Sequence, residues 1–378
     1  MHHGPAPGVR TATRFRSARP MSTTLKSLGV PDPNQKYRVV QWATGRIGEA
    51  SLRELIRSPQ MDLVGVYVHS AGKEGRDAGE LCGLPPTGVK ATRIIGEIIA
   101  LKPDCIVAMQ EGPNVDDVCR FLEAGINIAT SRVDYLEPER MDPEVRRRAE
   151  AACLKGGASI HATGASPGFS SEALPLVLAS MSRRMDCMTI DEYADLPASC
   201  PDIQITQGMG FGRTSGKEFN PHLLAHVGHG FIQSVNMIAK ALHLTIDRID
   251  LSGETANAQQ RFPLPGGTPI EQGTVAAQRI TISAMRNGNP KIRYRINWYC
   301  TQDIDKDWDL RKSGWRVLIE GETPLDVSIA FPVAPERVSA AMAAITANRV
   351  INAVPYVCAA PPGIRTTAEL PNIVPRMG

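Results

Sequence analysis

The residues best suited to chemistry lie at strand-to-helix corners. The first corner is Val39-Val40-Gln41-Trp42-Ala43-Thr44-Gly45-Arg46-Ile47-Gly48. It joins a short apolar run to a helical one. A dinucleotide pyrophosphate needs backbone N–H groups at a helix start, presented by a tight turn. Gly45 lets the backbone approach closely, and Gly48 lets the helix lie on the strand. Trp42 stands where the first glycine of GxGxxG is usual, so the pattern is incomplete. Ala43, Thr44, Gly45, Arg46, Ile47 and Gly48 form the expected cradle for a cofactor. The second strand ends in Val66-Tyr67-Val68-His69-Ser70-Ala71-Gly72-Lys73. An NAD enzyme usually places Asp or Glu here for the ribose 2′-hydroxyl. None is present, whereas His69, Ser70, Lys73 and Arg46 suit a 2′-phosphate. NADP(H) is the expected cofactor, with NAD(H) as the alternative. Strand C-termini line the cleft of a wound sheet, which adds Met109, Gln110 and Thr130 to the cofactor side, with Glu111 following.

Other constellations carry less. His222, His226 and His229 share one helix face by spacing, but no HExxH glutamate accompanies them, and no metal is expected. Gly208–Lys217 is glycine-rich, yet Phe211 and Glu218 break the phosphate-loop pattern. It reads as a mobile loop between domains, a lid over the substrate. The eight cysteines show no CxxC spacing and several sit in apolar contexts, as buried free thiols in a reducing cytoplasm would.

These corners need elements to position them. Strand-like runs Tyr37–Gln41, Asp62–Val68, Cys105–Met109, Asn127–Thr130 and Ser159–Ala162 alternate with helical runs Glu49–Ile56, Ile94–Leu101, Val115–Leu122 and Pro143–Leu154. That rhythm predicts a parallel sheet wound on both faces, a Rossmann-type α/β domain. After Pro167 the rhythm changes. Helices are expected over Phe169–Met181 and His222–Leu242. Strands follow over Met188–Tyr193, Ile246–Leu251, Ala276–Met285, Lys291–Tyr299, Trp315–Glu320 and Leu325–Phe331, with a hairpin turn at Asn287-Gly288. This predicts a second α+β domain with a mixed or antiparallel sheet. A final helix, Glu336–Ala360, is expected to return to the first domain. The boundaries read as a basic tail at 1–36, a cofactor domain at 37–165, a substrate and dimerisation domain at 166–335, and a C-terminal helix and tail at 336–378.

The formal charge is +3 over 378 residues, from 42 basic and 39 acidic side chains. Residues 1–36 hold Arg10, Arg14, Arg16, Arg19, Lys26 and Lys36 against Asp32 alone. The remaining chain is thus mildly acidic, and aromatic residues do not interleave with basic ones, which argues against nucleic acid as a partner. The tail reads as a disordered extension or as translation from upstream of Met21, and its Arg-rich, acid-poor start also fits a transit peptide. No apolar run approaches the roughly 18 residues of a membrane span.

Gly45-Arg46-Ile47-Gly48, followed by Gly75-Arg76-Asp77-Ala78-Gly79-Glu80-Leu81-Cys82-Gly83, resembles the cofactor half of the dihydrodipicolinate reductases. Their His-His pair and Lys-Asp-Ala-Pro-Ser-Gly-Thr loop are missing. Thr163-Gly164-Ala165-Ser166-Pro167-Gly168-Phe169, with Gly314–Gly321 and Thr346–Pro355, instead resembles the 2,4-diaminopentanoate dehydrogenase and native amine dehydrogenase group, over roughly residues 37–375. The resemblance implies hydride exchange between NAD(P)H and a carbon bearing an amine, with ammonia and a small ketone as substrates in the reverse direction. It implies a catalytic glutamate after the fifth strand. Val133 or Asp134 takes that place here, and Asp134 is the expected catalytic carboxylate. Ser131, Tyr135, Ser166, Pro167, Gly168 and Phe169 are the expected substrate wall, and a homodimer is expected. Ketone reduction without amination, or a non-catalytic dinucleotide-binding homologue, are the alternatives.

Overall fold

A computed structural model describes residues 31–376, apart from positions 33, 217 and 218. The expectations about the tail therefore fall, for residues 1–30, outside the described residues. The first half builds β1 (Tyr37–Trp42), α1 (Arg46–Arg57), β2 (Met61–Tyr67), β3 (Ala91–Thr92), α2 (Ile95–Ala100), β4 (Cys105–Ala108), α3 (Val115–Glu123), β5 (Asn127–Thr130), α4 (Pro143–Gly156) and β6 (Ser159–Ala162). Apolar spacing and caps explain these elements. Leu52 and Leu55 turn to the core side of α1, while Arg53 pairs with Glu49 one turn back at 2.9 Å. Asp142 caps α4 by accepting from the N–H groups of Glu144 and Val145, with Pro143 at the first helical position.

The strands form one sheet in the order β15-β6-β5-β4-β1-β2-β3, every pair parallel. Its seventh strand, β15 (Gly363–Arg365), comes from the far end of the chain. One core cluster joins the sheet to α2, α3 and α4 through Ile98, Phe121, Leu122, Ala152 and Cys153. A second joins it to α1 and to the last helix, α7 (Val338–Ala359), through Leu55, Val350, Val354 and Val357. Helices on both faces make this the doubly wound architecture that the sequence rhythm predicts.

The second sheet holds β7 (Met185–Asp195), β8 (Arg248–Asn257), β11 (Val275–Arg286), β12 (Asn289–Tyr299), β13 (Gly314–Gly321) and β14 (Leu325–Ala330), in the order β14-β13-β7-β12-β11-β8. Only β7 and β12 run parallel, so the sheet is mixed. Helix α6 (Pro221–Ala241) lies on one face, and Phe231, Val235 and Ile238 meet Ile280, Ile282, Tyr294 and Ile296 there. A small ribbon, β9 with β10 (Phe262–Pro263 and Pro269–Ile270), stands apart.

Two local expectations change. The helix expected over Phe169–Met181 is regular only as α5 (Leu174–Ala179). Before it, Ala165–Ala173 is a wide turn in which Ser166, Pro167 and Gly168 leave helical dihedrals. Ser166 and Ser171 hydrogen-bond inward, to Glu192 and Glu172. The glycine-rich loop is not a free lid. Phe211 is buried, and Gly212 and Arg213 exchange backbone hydrogen bonds with Val275 at 2.9 Å each.

Candidate active site

The β1–α1 corner is held by one buried strand residue. The Gln41 amide donates to the carbonyls of Trp42 (3.1 Å) and Ala43 (2.9 Å) and accepts from the Ser51 hydroxyl at 2.6 Å. Ala43 adopts φ 67, the left-handed conformation that a glycine takes most easily. Counting back from Gly48, Ala43 occupies the first glycine's place in GxGxxG, and this corrects the assignment of that place to Trp42. Trp42 is a strand residue with its side chain in the core. A Cβ on Gly48 would lie 2.2 Å from the Ala43 carbonyl oxygen, so Gly48 serves helix-on-turn contact rather than the cofactor. A Cβ on Gly45 would meet no protein atom within 4 Å; it would project into an open groove.

That groove has two arms around Gly45. One, of ≈ 520 Å³, is lined by Ala43, Thr44, His69, Ser70, Lys73, Met109, Gln110 and Glu111. The other, of ≈ 410 Å³, is lined by Arg46, Ile47, Met109 and Glu111 together with Met342, Ala343 and Thr346 of α7. The structure thus brings together nearly all the residues expected at the cofactor and adds α7 as an unforeseen wall. It separates Arg46 from the other basic candidate. Arg46 donates to the Ser339 carbonyl at 2.9 Å, whereas Lys73 Nζ sits on the Thr44 carbonyl (2.8 Å) and hydroxyl (3.0 Å). His69 accepts from the Trp42 indole N–H at 2.9 Å. A nicotinamide dinucleotide fits this groove on three observations. The α1 N-terminus opens into it, Gly45 leaves its floor clear, and both polar atoms of the buried Gln110 amide lack a protein partner.

The C-terminal ends of β4, β5 and β6 are tied together. The Thr130 hydroxyl and the Ser131 N–H donate to the Ala108 carbonyl at 2.9 and 3.2 Å, and the Thr163 N–H donates to the Thr130 carbonyl at 2.8 Å. Thr130 is buried and spends its hydroxyl there, so it braces the strand ends rather than lining the groove. Beyond β5 the chain makes one tight turn, Val133–Tyr135. Asp134 and Arg132 project from it into a cleft of ≈ 790 Å³ between the two sheets, shared with Val133, Pro167, His226, His229, Phe231 and Trp298. Arg132 Nε and Nη2 both donate to Asp134 Oδ2, at 3.0 and 2.6 Å, which leaves Oδ1 without a protein hydrogen bond among the described residues.

The expected substrate wall divides. Pro167 lines the cleft. Tyr135 does not: it is fully buried, donates its hydroxyl to the Pro113 carbonyl at 2.7 Å, and belongs to the core. Burial pushes its pKa well above the phenol range. Gly168, at φ 130, is buried against Thr163. Phe169 lies between Trp315, 6.0 Å away, and the Arg349 guanidinium, 5.7 Å from its ring centre. Ser166 donates to Glu192. Of the three histidines, His226 and His229 line the cleft and His222 does not. No three His, Cys, Asp or Glu side chains gather as metal ligands among the described residues.

Two carboxylates beside the Ser166–Ala173 turn, Glu172 fully buried and Glu192 partly so, escaped the sequence reading. Glu172 is fully buried; its Oε1 accepts from the hydroxyls of Ser171 (2.8 Å) and Ser234, while its Oε2 has no partner. Ser171 in turn accepts from the Gly168 N–H at 2.9 Å, which links Glu172 to the loop. Burial raises the Glu172 pKa to about 7, against the pull of those hydroxyls and of Arg349. Glu192 rises for the same reason, opposed by Ser166, Tyr294 and Trp315. Glu172 lies within a stretch that reads as helix and Glu192 within a polar strand end, so neither spacing signals burial.

Comparison with known proteins shows the family and the fold. A family model of the 2,4-diaminopentanoate dehydrogenase C-terminal domain matches residues 169–378. An amine dehydrogenase of Streptomyces virginiae is 28% identical over 346 residues, covering 88% of this chain and 95% of that protein. A 2,4-diaminopentanoate dehydrogenase of Acetoanaerobium sticklandii is 22% identical over 362 residues, covering 90% and 95%. The solved structure of an amine dehydrogenase from Mycobacterium smegmatis shares the fold, with TM-score 0.68, 20% identity and coverage of 91% and 98%. More than half of the chain answers to the family model and its groove suits a dinucleotide; the chain belongs to the 2,4-diaminopentanoate dehydrogenase family and is an NAD(P)-dependent oxidoreductase.

Proposed function

We propose that this chain is an amine dehydrogenase, exchanging an amine for a ketone and ammonia at a small substrate held in the cleft between the sheets. The observation that carries the reading is Asp134: a carboxylate in the cleft, oriented by Arg132 through one oxygen, with the other left for a ligand. A nicotinamide cofactor, when bound, accepts or supplies the hydride. The residues handle the protons. In the amination direction, ammonia adds to the ketone carbon; as the C–N bond forms, Asp134 Oδ1 takes a proton from that nitrogen and returns it to the carbinolamine hydroxyl, whose C–O bond breaks to release water and leave an iminium carbon open to hydride. Arg132 fixes the orientation of the carboxylate, which lowers the cost of aligning it. Phe231, Pro167 and Trp298 exclude water from the reacting carbon. We read NADP(H) as the preferred cofactor, because Lys73 stands where an NAD enzyme carries a carboxylate.

The test is Asp134→Asn. The amide keeps the shape but cannot accept the proton, so amination kcat is expected to fall by about 100-fold or more, with cofactor affinity intact. Amination at the wild-type rate removes Asp134 from the reaction. We read the assembly as a homodimer. A monomeric mass by light scattering rejects that assembly.

A further inference from the structure

Helix α6 walls the cleft beside the turn that carries Asp134. Its close approach is at Gly230, where a Cβ would lie 3.3 Å from Val133 and 3.4 Å from Pro167. One residue earlier, His229 lines the same cleft and stays exposed in it. One turn further on, Gln233 is almost completely buried. The Gln233 amide meets two groups, the Glu137 backbone N–H and His229 Nε2, each at 3.3 Å. The first contact decides the second. A backbone N–H only donates, so the Gln233 carbonyl oxygen faces Glu137 and its NH2 group faces His229. An amide NH2 also only donates, so His229 Nε2 must accept. A neutral imidazole that accepts at Nε2 carries its proton on Nδ1. That Nδ1–H makes no hydrogen bond to protein among the described residues.

Gln233 is itself held in this orientation. Glu137, whose N–H it accepts, is buried, and the Glu137 carboxylate accepts from Asn236 at 3.4 Å and Lys240 at 3.2 Å, one and two turns along α6 from Gln233. Glu137 follows Asp134 by three positions. One amide thus ties the segment after Asp134 to α6 and selects the tautomer of His229. The selection has work to do, because a histidine side chain in water favours the Nε2–H form, and only a donor at Nε2 holds the proton on Nδ1. The other donors of the cleft are placed differently. Arg132 directs two of its N–H groups at Asp134, and no hydrogen bond sets the tautomer of His226 among the described residues.

We propose that His229 donates its Nδ1–H to the carbonyl oxygen of the substrate, and that Gln233 is the positioning residue that keeps the proton on Nδ1. An ionised Asp134 can only accept, so the ketone oxygen needs a separate donor. As the nucleophile adds to the carbonyl carbon, the π pair of the C=O bond moves onto oxygen. A fixed N–H aimed there stabilises that charge as it develops. The hydrogen bond strengthens while the proton stays on the ring, and the proton transfers remain with Asp134. The inference rests on the proposed function in placing the substrate carbonyl in this cleft, and it holds alike for addition of ammonia and for simple ketone reduction.

Two measurements test it. Long-range proton–nitrogen NMR spectra of the full chain, with its histidine rings isotopically labelled, read which nitrogen of neutral His229 is protonated; the signals lost in His229→Leu identify the residue. The wild type is expected to show Nδ1–H with a bare Nε2, and Gln233→Met to revert to Nε2–H. An Nε2–H wild type, or a tautomer unmoved in Gln233→Met, overturns the role of Gln233. The kinetic measurement follows ketone turnover with and without ammonium. His229→Leu is expected to lower kcat by about 100-fold with little change in KM for NADPH. His229→Asn, whose amide sets an N–H near the place of Nδ1–H, is expected to restore about 10-fold of that loss, and Gln233→Met to lower kcat by about 10-fold. Equal loss in His229→Leu and His229→Asn overturns the donor role. Turnover that requires ammonium but is indifferent to His229→Leu also overturns it and leaves the amine dehydrogenase reading intact. Turnover that ignores ammonium yet follows the His229 series does the reverse: that reading fails and the donor stands.

Discussion

On the NADP(H) reading proposed above, Lys73 is the residue that would set the cofactor preference. Its ammonium rests on Thr44 at the mouth of the groove, close to His69 and Ser70, where a 2′-phosphate would offer a stronger, charged partner. Lys73→Ala is expected to raise KM for NADPH by about 10-fold or more and to change KM for NADH little; equal changes for both cofactors reject the role. Glu172 makes a prediction about pH. Its carboxyl titrates near 4.5 in the unfolded chain and near 7 in the fold, where burial dominates. The folded chain thus binds a proton that the unfolded chain releases. The associated stability is complete below about pH 4.5 and is lost as pH rises through about 7, up to about 3 kcal/mol. Glu172→Gln should remove this slope, and thermal midpoints of the two proteins across that range measure it. The residue scale is also where the sequence was least legible. That Ala43, Thr44, Gly45 and Lys73 gather at one groove was readable because they belong to one corner. Glu172 and Glu192 were not, because their partners Ser234 and Tyr294 lie 62 and 102 positions along the chain. Tyr135 was misread because a loop residue beside a candidate acid looks exposed until the core that receives it is known.

Among the elements, the β1–α1 corner decides whether the cofactor can be held. The turn, the buried Gln41 and the first helical residues form one unit, and Gly48 is its tightest contact. Gly48→Ala drives a methyl into the Ala43 carbonyl, so it is expected to cost about 1–3 kcal/mol of stability and to weaken cofactor binding. Gly45→Ala is the complement: its methyl meets no protein atom, so stability should hold while cofactor affinity falls. Denaturant midpoints and cofactor titration of the two variants separate these outcomes, and equal destabilisation by both contradicts the assignment. The alternation of strands and helices before residue 165 was legible because buried parallel strands are short apolar runs bounded by turns. The wide turn Ala165–Ala173 was not, because Leu174, Leu176 and Leu178 continue the helical signal and mask the break at Gly168.

At the scale of the whole molecule, the two sheets meet at the cleft and the C-terminal segment binds them to a common frame. Helix α7 lies across the parallel sheet, lines the groove through Thr346, and reaches the Ala165–Ala173 turn through Arg349 and Phe169. Strand β15 then completes the sheet beside β6. A helix returning to the first domain was legible from its apolar, Ala-rich composition. The strand that follows it was not, since three residues carry too little pattern. Among the described residues, no helix is long and apolar enough to cross a membrane. The central claim, that the cleft joins ammonia to a ketone, is tested most directly by NADPH consumption with small ketones, with and without ammonium at constant ionic strength. The account predicts consumption that requires ammonium. Consumption at the same rate without ammonium would contradict it, and would make the protein a carbonyl reductase.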